Sequence, residues 1–365
     1  MCGRPLGRHL ESKDEWLVAR TIALVGALHP GAAQLALALE DEPEVERILG
    51  LQPTPAPLLG PKFEHVDAEP GDQRFDAALA QADVLVLFPV LDSSDRDGRA
   101  TRERLASMVR RSLDAASGAR TVVLWSSGIV YGAHPDNPVP LDEDAALRPN
   151  FDFPPARALA EAEQLVLDGG TGPGEATRVV LRGAAIWSPV WGTFLARMLA
   201  GPAIVGLRGY DPPVQSLDPE DAVRALVLAA DGRLDSGIYN VAPDDWIPAG
   251  EAARLTGRRR VEVPEGAAFA IGERLAPLGV AVTGQGELHY HMHPWVLSNR
   301  RLRATGWSPR WSTAEAMTFA GQAVPEGVRV GRVQVRRNDV IRGAAAAAAF
   351  VAALTALARR RGGRA

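Results

Sequence analysis

The sequence predicts an α/β protein: a doubly wound parallel sheet, a smaller C-terminal lobe and an Ala-rich C-terminal helix. Two observations carry the prediction. Through the first half, short apolar runs alternate with stretches of helical periodicity, the pattern of strands covered on both faces by helices. The chain, 365 residues with 46% hydrophobic and 23% charged, also holds enough apolar material for a substantial core.

Each element has its own reason. Residues 1–20 are polar and charged, lack the apolar stretch of a secretory signal, and read as a loose extension. Thr21–Val25 reads as a first strand, Ala32–Leu39 as a helix and Val45–Leu51 as a second strand. Ala82–Phe88 and Thr121–Trp125 are further strands, apolar almost throughout. Within residues 99–117, Leu105, Met108, Val109, Ser112 and Leu113 recur at helical spacing, which marks a buried stripe. Residues 153–167 open a helix on Pro154 and Pro155. Proline is tolerated at a helix start, and the residue before it is pushed out of the helical region. Phe153 is therefore expected just ahead of the helix.

Composition limits the function. The single Cys2 excludes an intramolecular disulfide and points to a reducing compartment. Residues 326–365 carry nine Arg against Glu326 and Asp339, so a basic tail follows an acidic body. No clustered basic face with interleaved aromatics is present, so nucleic acid is not an expected partner. In the tail, Val328–Arg336 alternates apolar and basic residues like an edge strand. The run from Gly343 to Ala358 carries no charge and is flanked by Arg342 and Arg359-Arg360-Arg361. As a helix it is too short for a full membrane span, so residues 342–361 suggest either a helix docked on the body or contact with an anionic membrane surface.

A frame of motifs runs through the middle. Val122-Val-Leu-Trp-Ser126-Ser127-Gly-Ile-Val-Tyr131-Gly132 is followed by Pro140-Leu-Asp-Glu143, Arg148-Pro149-Asn150, Glu161 and Val179-Val-Leu181-Arg182. Gln215–Val223, Ser236–Val241 and Ala304–Pro309 continue it. This frame, over roughly residues 20–315, resembles the extended short-chain dehydrogenase/reductase superfamily, of the nucleoside-sugar epimerase and dehydratase type. The resemblance implies a Rossmann-like dinucleotide-binding domain over 21–182 and a substrate-facing lobe over 183–325, interleaved with it. It also implies NAD or NADP as cofactor, a small-molecule ligand in the cleft and a homodimer, while the lone cysteine and the absence of a signal-like stretch in residues 1–20 point to a cytoplasmic protein, membrane-associated if the tail contacts a membrane.

The chemistry departs from that family. The resemblance places Ser127, Phe153 and Arg157 at the positions of its catalytic serine, tyrosine and lysine. In the family the tyrosine hydroxyl moves a proton while hydride passes to or from the nicotinamide, and the lysine lowers the tyrosine pKa and bonds the ribose. Phe153 has no ionisable group, and Arg157 is a rigid fork rather than a point charge. None of the four tyrosines, at 131, 210, 239 and 290, has a basic residue four places on.

The cofactor side departs as well. The family pattern Thr-Gly-x-x-Gly-x-x-Gly becomes Val25-Gly26-Ala-Leu-His29-Pro30-Gly31-Ala32. Gly26 matches, but His29 stands where backbone must approach a pyrophosphate, and Gly31 offers flexibility two residues later. Gln52 stands where an acid usually meets the ribose hydroxyls, and Asp67-Ala68 where an acid usually meets the adenine. Phe88 and Arg157 complete the cofactor-side candidates. Dinucleotide binding is left open.

His289, His291 and His293 would share one face of a strand, but no cysteine lies near, and no metal is expected. No Gly-x-Ser-x-Gly surrounds Ser126-Ser127, so no hydrolase elbow is expected. Three readings of function follow: a non-catalytic sensor, scaffold or subunit; an active oxidoreductase whose proton is handled by Ser127, Tyr131 or the substrate; and a peripheral membrane protein held by its tail.

Overall fold

The structure, a computed structural model, describes residues 19–54, 59–91, 98–169, 175–191, 193–200, 203–275, 285–323, 327–330 and 333–336. Chain order begins β1 (Arg20–Val25), α1 (Pro30–Glu40), β2 (Val45–Leu51), β3 (Phe63–Val66), α2 (Gln73–Leu79), β4 (Val84–Leu87), α3 (Arg99–Ala115), β5 (Thr121–Ser127), α4 (Pro154–Leu167) and β6 (Thr177–Gly183). It continues with α5 (Phe194–Ala200), β7 (Ala203–Leu207), β8 (Pro213–Val214), α6 (Pro219–Ala230), β9 (Gly237–Val241), β10 (Ile247–Pro248), α7 (Ala249–Leu255) and β11 (Arg259–Val263). Last come α8 (Glu265–Leu275), α9 (Gln285–Leu288), α10 (Arg300–Arg303), α11 (Thr313–Gln322), β12 (Gly327–Val330) and β13 (Val333–Arg336).

The main sheet has seven parallel strands in the order β3-β2-β1-β4-β5-β6-β9. Alternation along β1 shows why it is covered on both sides. Ile22 and Leu24 join one core with Leu35, Leu39 and Ala225, under α1 and α6. Ala23 and Val25 join the other with Phe75, Leu105, Val109 and Val166, under α2, α3 and α4. Each fully buried leucine or isoleucine contributes about 1.5–3 kcal/mol by leaving water. Strand order reverses between β1 and β4, and such a reversal opens a crevice beyond the carboxyl ends of the strands.

Local chemistry sets the helix starts that frame this crevice. Two prolines open α4, and Phe153 is its N-cap residue, outside the helical region as the sequence predicts. Asp218 caps α6 by accepting from Glu220 N at 2.8 Å. Ser312 and Glu315 form a reciprocal capping box on α11. The smaller lobe adds a parallel pair, β7 with β11, and an antiparallel pair, β8 with β10.

Several expectations are corrected. β1 begins at Arg20, one residue inside the supposed extension, because its buried guanidinium pairs with Glu44 at 3.0 Å and Asp231 at 3.1 Å. The stretch around His289–His293 is no strand. It is the turn of α9 followed by a short 3-10 helix, so the three imidazoles do not share one face. The alternating run after residue 326 forms two strands, β12 and β13, paired antiparallel with each other. The Ala-rich run and residues 342–361 lie outside the described residues. No helix among the described residues is long and apolar enough to cross a membrane.

Candidate functional site

At the carboxyl ends of β1, β4, β5 and β6 lies a cavity of about 410 Å³. Its polar lining is His29, Ser126, Ser127, Thr193 and Glu287; the rest is apolar, with Trp125, Phe153, Trp191 and Trp295 as its rings. Among the described residues no Lys or Arg lines it.

The loop after β1 is built around His29. Gly26 turns the chain at φ +83°, and a Cβ there would lie 2.1 Å from the Phe88 carbonyl oxygen, so only glycine fits. His29 is the N-cap residue of α1, and its Nδ1 accepts from Gly31 N at 3.0 Å. Ala32 N and Ala33 N both donate to the His29 carbonyl, and Pro30 has no N–H. The first turn of α1 thus satisfies its own amides. The ring stacks on Phe88 with centroids 5.2 Å apart and meets Trp191 edge-on at 5.3 Å. Burial pulls the His29 pKa down to about 4, so the ring is neutral at pH 7. Trp191 is fixed in turn by its Nε1–H donating to Gln34 at 2.8 Å, and its ring lies 2.7 Å from where a Gly31 Cβ would be.

These residues do not fit a pyrophosphate at the loop. A dinucleotide would need unpaired amides or a cation at the start of α1. Here Gly31, Ala32 and Ala33 donate internally, His29 is neutral, and among the described residues the one charged lining residue is Glu287.

The three positions that the sequence resemblance assigns to catalysis are split. Ser127 lines the cavity, and its Oγ accepts from Ile129 N at 3.4 Å, a local bond. Phe153 also lines it, packed edge-on against Tyr290 at 5.3 Å. Tyr290 is no substitute acid: its hydroxyl donates to the Ile129 carbonyl at 2.7 Å, and burial, with Asp152 nearby, pushes its pKa up. Arg157 lies outside the lining, stacked 5.2 Å over the exposed ring of Phe151. Behind the cavity is a buried network. Arg182 Nη2 meets Glu163 at 2.7 Å, Ser126 donates to Glu163, and Arg182 Nη1 donates to Tyr131 at 2.8 Å. Tyr131 donates to Asn240 at 2.9 Å. Burial raises the Tyr131 pKa against the pull of Arg182, and the residue does not line the cavity.

Of the predicted site residues, His29, Ser127 and Phe153 come together, and Gly26, Gly31 and Phe88 support His29 from behind. Gln52 is buried elsewhere, its Nε2 donating to Thr54 O at 2.6 Å. Asp67 is exposed and Ala68 buried after β3, both away from the cavity. Sequence reasoning missed Trp191, Trp295 and Glu287. Only the density of tryptophan, eight in the chain, hinted at an aromatic-lined site. Glu287 is placed by α9: a Cβ on Gly286 would lie 2.2 Å from the Asp152 carbonyl oxygen, so this glycine lets α9 press on the segment holding Phe153. Among the described residues no group of histidines and acids is arranged to hold a metal.

No family model matches the chain. It is 30% identical over 222 residues to uncharacterized protein Rv0501 of Mycobacterium tuberculosis, 60% of this chain and 59% of that one. Uncharacterized protein Mb0513 of Mycobacterium bovis matches to the same extent, 30% over 222 residues. The chain spans about three fifths of the length of these curated relatives. Among solved structures, a short-chain dehydrogenase/reductase superfamily protein of Agrobacterium tumefaciens with bound NAD superposes with TM-score 0.62 at 20% identity, covering 83% of this chain and 96% of that one. The dTDP-glucose 4,6-dehydratase of Bacillus anthracis, in complex with NAD, gives 0.63 at 13%, covering 84% and 96%. The UDP-glucose 4-epimerase of Thermotoga maritima, with UDP-glucose, gives 0.63 at 15%, covering 83% and 98%. The chain has the Rossmann-like fold of the extended short-chain dehydrogenases/reductases.

Proposed function

We propose that this protein is a non-catalytic member of the extended short-chain dehydrogenase/reductase superfamily. Its cleft binds a small molecule, and the protein works as a sensor, scaffold or subunit rather than as a hydride-transfer enzyme. The carrying observation is Phe153, which sits in the cavity wall at the catalytic tyrosine's position with no proton to give or take. Two further losses are chemically linked to it. Arg157 is engaged outside the cavity, and the amides at the start of α1 are used by His29. Selection for hydride transfer would hold all three positions together, so their joint change supports relaxed selection for that chemistry.

The rival reading is an oxidoreductase whose proton is handled by Ser127, Tyr131 or the substrate; of these, Tyr131 is buried and engaged by Arg182 and Asn240. The test is incubation of the purified chain with NAD⁺ or NADP⁺ and a panel of nucleoside-diphosphate sugars, following near-ultraviolet absorbance. No change is expected; turnover of any sugar overturns the non-catalytic reading.

A further inference from the structure

The cavity is a built site whose walls point to a ligand unlike a dinucleotide, and this inference rests on the proposed reading of the cleft as a non-catalytic binding site. Its volume of about 410 Å³ falls in the small-molecule range of roughly 300–1,000 Å³. Flat aromatic walls come from three different parts of the chain. Trp125 lies near the carboxyl end of β5, Trp191 stands in the connection after β6, and Phe153 precedes α4; the two tryptophan rings meet edge-on, 5.6 Å apart. Such surfaces favour apolar or aromatic faces. The rim is apolar too, with Leu28 57% and Val90 61% exposed.

The polar groups narrow the chemistry. Gly31 N can only donate, so the His29 nitrogen that receives it, Nδ1, carries no proton. In the neutral ring the proton then sits on Nε2. Among the described residues the ring makes one hydrogen bond, the one its Nδ1 accepts, and His29 is the one histidine lining the cavity, so its Nε2–H is the imidazole donor available there. Two other polar side chains are turned to the protein. Ser126 donates to Glu163, and Thr193 Oγ1 donates to Ile186 O at 2.6 Å and accepts from Ala196 N at 3.1 Å. Among the described residues Glu287 is the one charged residue in the lining.

We propose that this cavity takes a neutral, flat, apolar molecule bearing a carbonyl-type acceptor, stacked on the tryptophans and hydrogen-bonded by His29 Nε2–H. Among the described lining residues there is no Lys or Arg to meet a phosphate or sulfonate.

Two naphthalene dyes separate the chemistries. The full chain is titrated with 6-propionyl-2-dimethylaminonaphthalene, which is neutral and has a ketone, and with 8-anilinonaphthalene-1-sulfonate, which is anionic. The ketone is expected to bind saturably at one site with a blue-shifted emission, at least about 10-fold tighter than the sulfonate. Val90→Trp, at an exposed rim position, should block the mouth and weaken the ketone about 10-fold. His29→Phe keeps the stack on Phe88 but removes the donor, and should weaken it about 5-fold, the worth of one hydrogen bond. Equal affinity for both dyes, no ketone binding, or binding unaffected by Val90→Trp overturns the proposal. Displacement of the ketone by micromolar NAD⁺ or NADH also overturns it. That last result leaves the non-catalytic reading standing, since only substrate turnover contradicts that one.

Discussion

At the residue scale the substitutions that matter most were legible, and their consequences were not. Phe153 and His29 stand out in the sequence because each breaks a motif whose chemistry needs another residue type. What His29 does instead depends on Trp191, more than 150 residues away, and no local pattern links the two. His29 predicts a pH dependence. Its folded pKa, about 4, lies below the ordinary value near 6.5, so the unfolded chain binds the proton more readily. Stability from this group is full above pH 6.5 and is lost as pH falls toward 4. Between pH 7 and 5 the loss is on the order of 1–2 kcal/mol. Urea unfolding at both pH values should show a smaller loss in His29→Phe than in the unaltered chain. Gly26→Ala forces a Cβ against the Phe88 carbonyl at positive φ, and should destabilise by about 2 kcal/mol or more, read as a lower urea midpoint. Restoring two family residues with Phe153→Tyr and Arg157→Lys should not create turnover or raise NAD⁺ affinity more than about 2-fold, because the amides of Gly31, Ala32 and Ala33 remain engaged. Appearance of NADH-forming activity in that double variant would contradict the account of the loop.

At the element scale, periodicity served well where one face is buried and failed where it is not. The strands of the main sheet and the stripe of Leu105, Val109 and Ser112 in α3 were readable because apolar period and burial coincide. The segment at His289–His293 misled because alternation of three histidines mimics a strand. It folds as a helical turn in which His289 pairs with Asp152 at 3.0 Å and burial holds the His291 pKa down at about 4. Nor was the tie between α4 and β6 visible. Glu163 and Arg182, both 2% exposed, meet across these elements, and Ser126 of β5 donates to the same carboxylate. Glu163→Ala leaves the guanidinium of Arg182 buried and unpaired, which should cost about 3–5 kcal/mol. Chemical denaturation measures the loss, and a change below about 1 kcal/mol would show that the network is not structural.

At the scale of the whole molecule, the parallel order β3-β2-β1-β4-β5-β6-β9 puts the loops after β1, β4, β5 and β6 around one crevice. That placement follows from right-handed crossovers in an open sheet and was implied once the strands were read. The character of the crevice was not implied, because Trp295 and Glu287 arrive from the smaller lobe and Trp191 from the connection that leads into it. A fold shared with NAD-bound enzymes therefore surrounds a cavity of tryptophans, one carboxylate and a neutral imidazole donor. The most direct test is calorimetric titration of the purified full chain with NAD⁺, NADH, NADP⁺ and NADPH. The account predicts no binding up to millimolar cofactor, and micromolar binding of any of the four would contradict it.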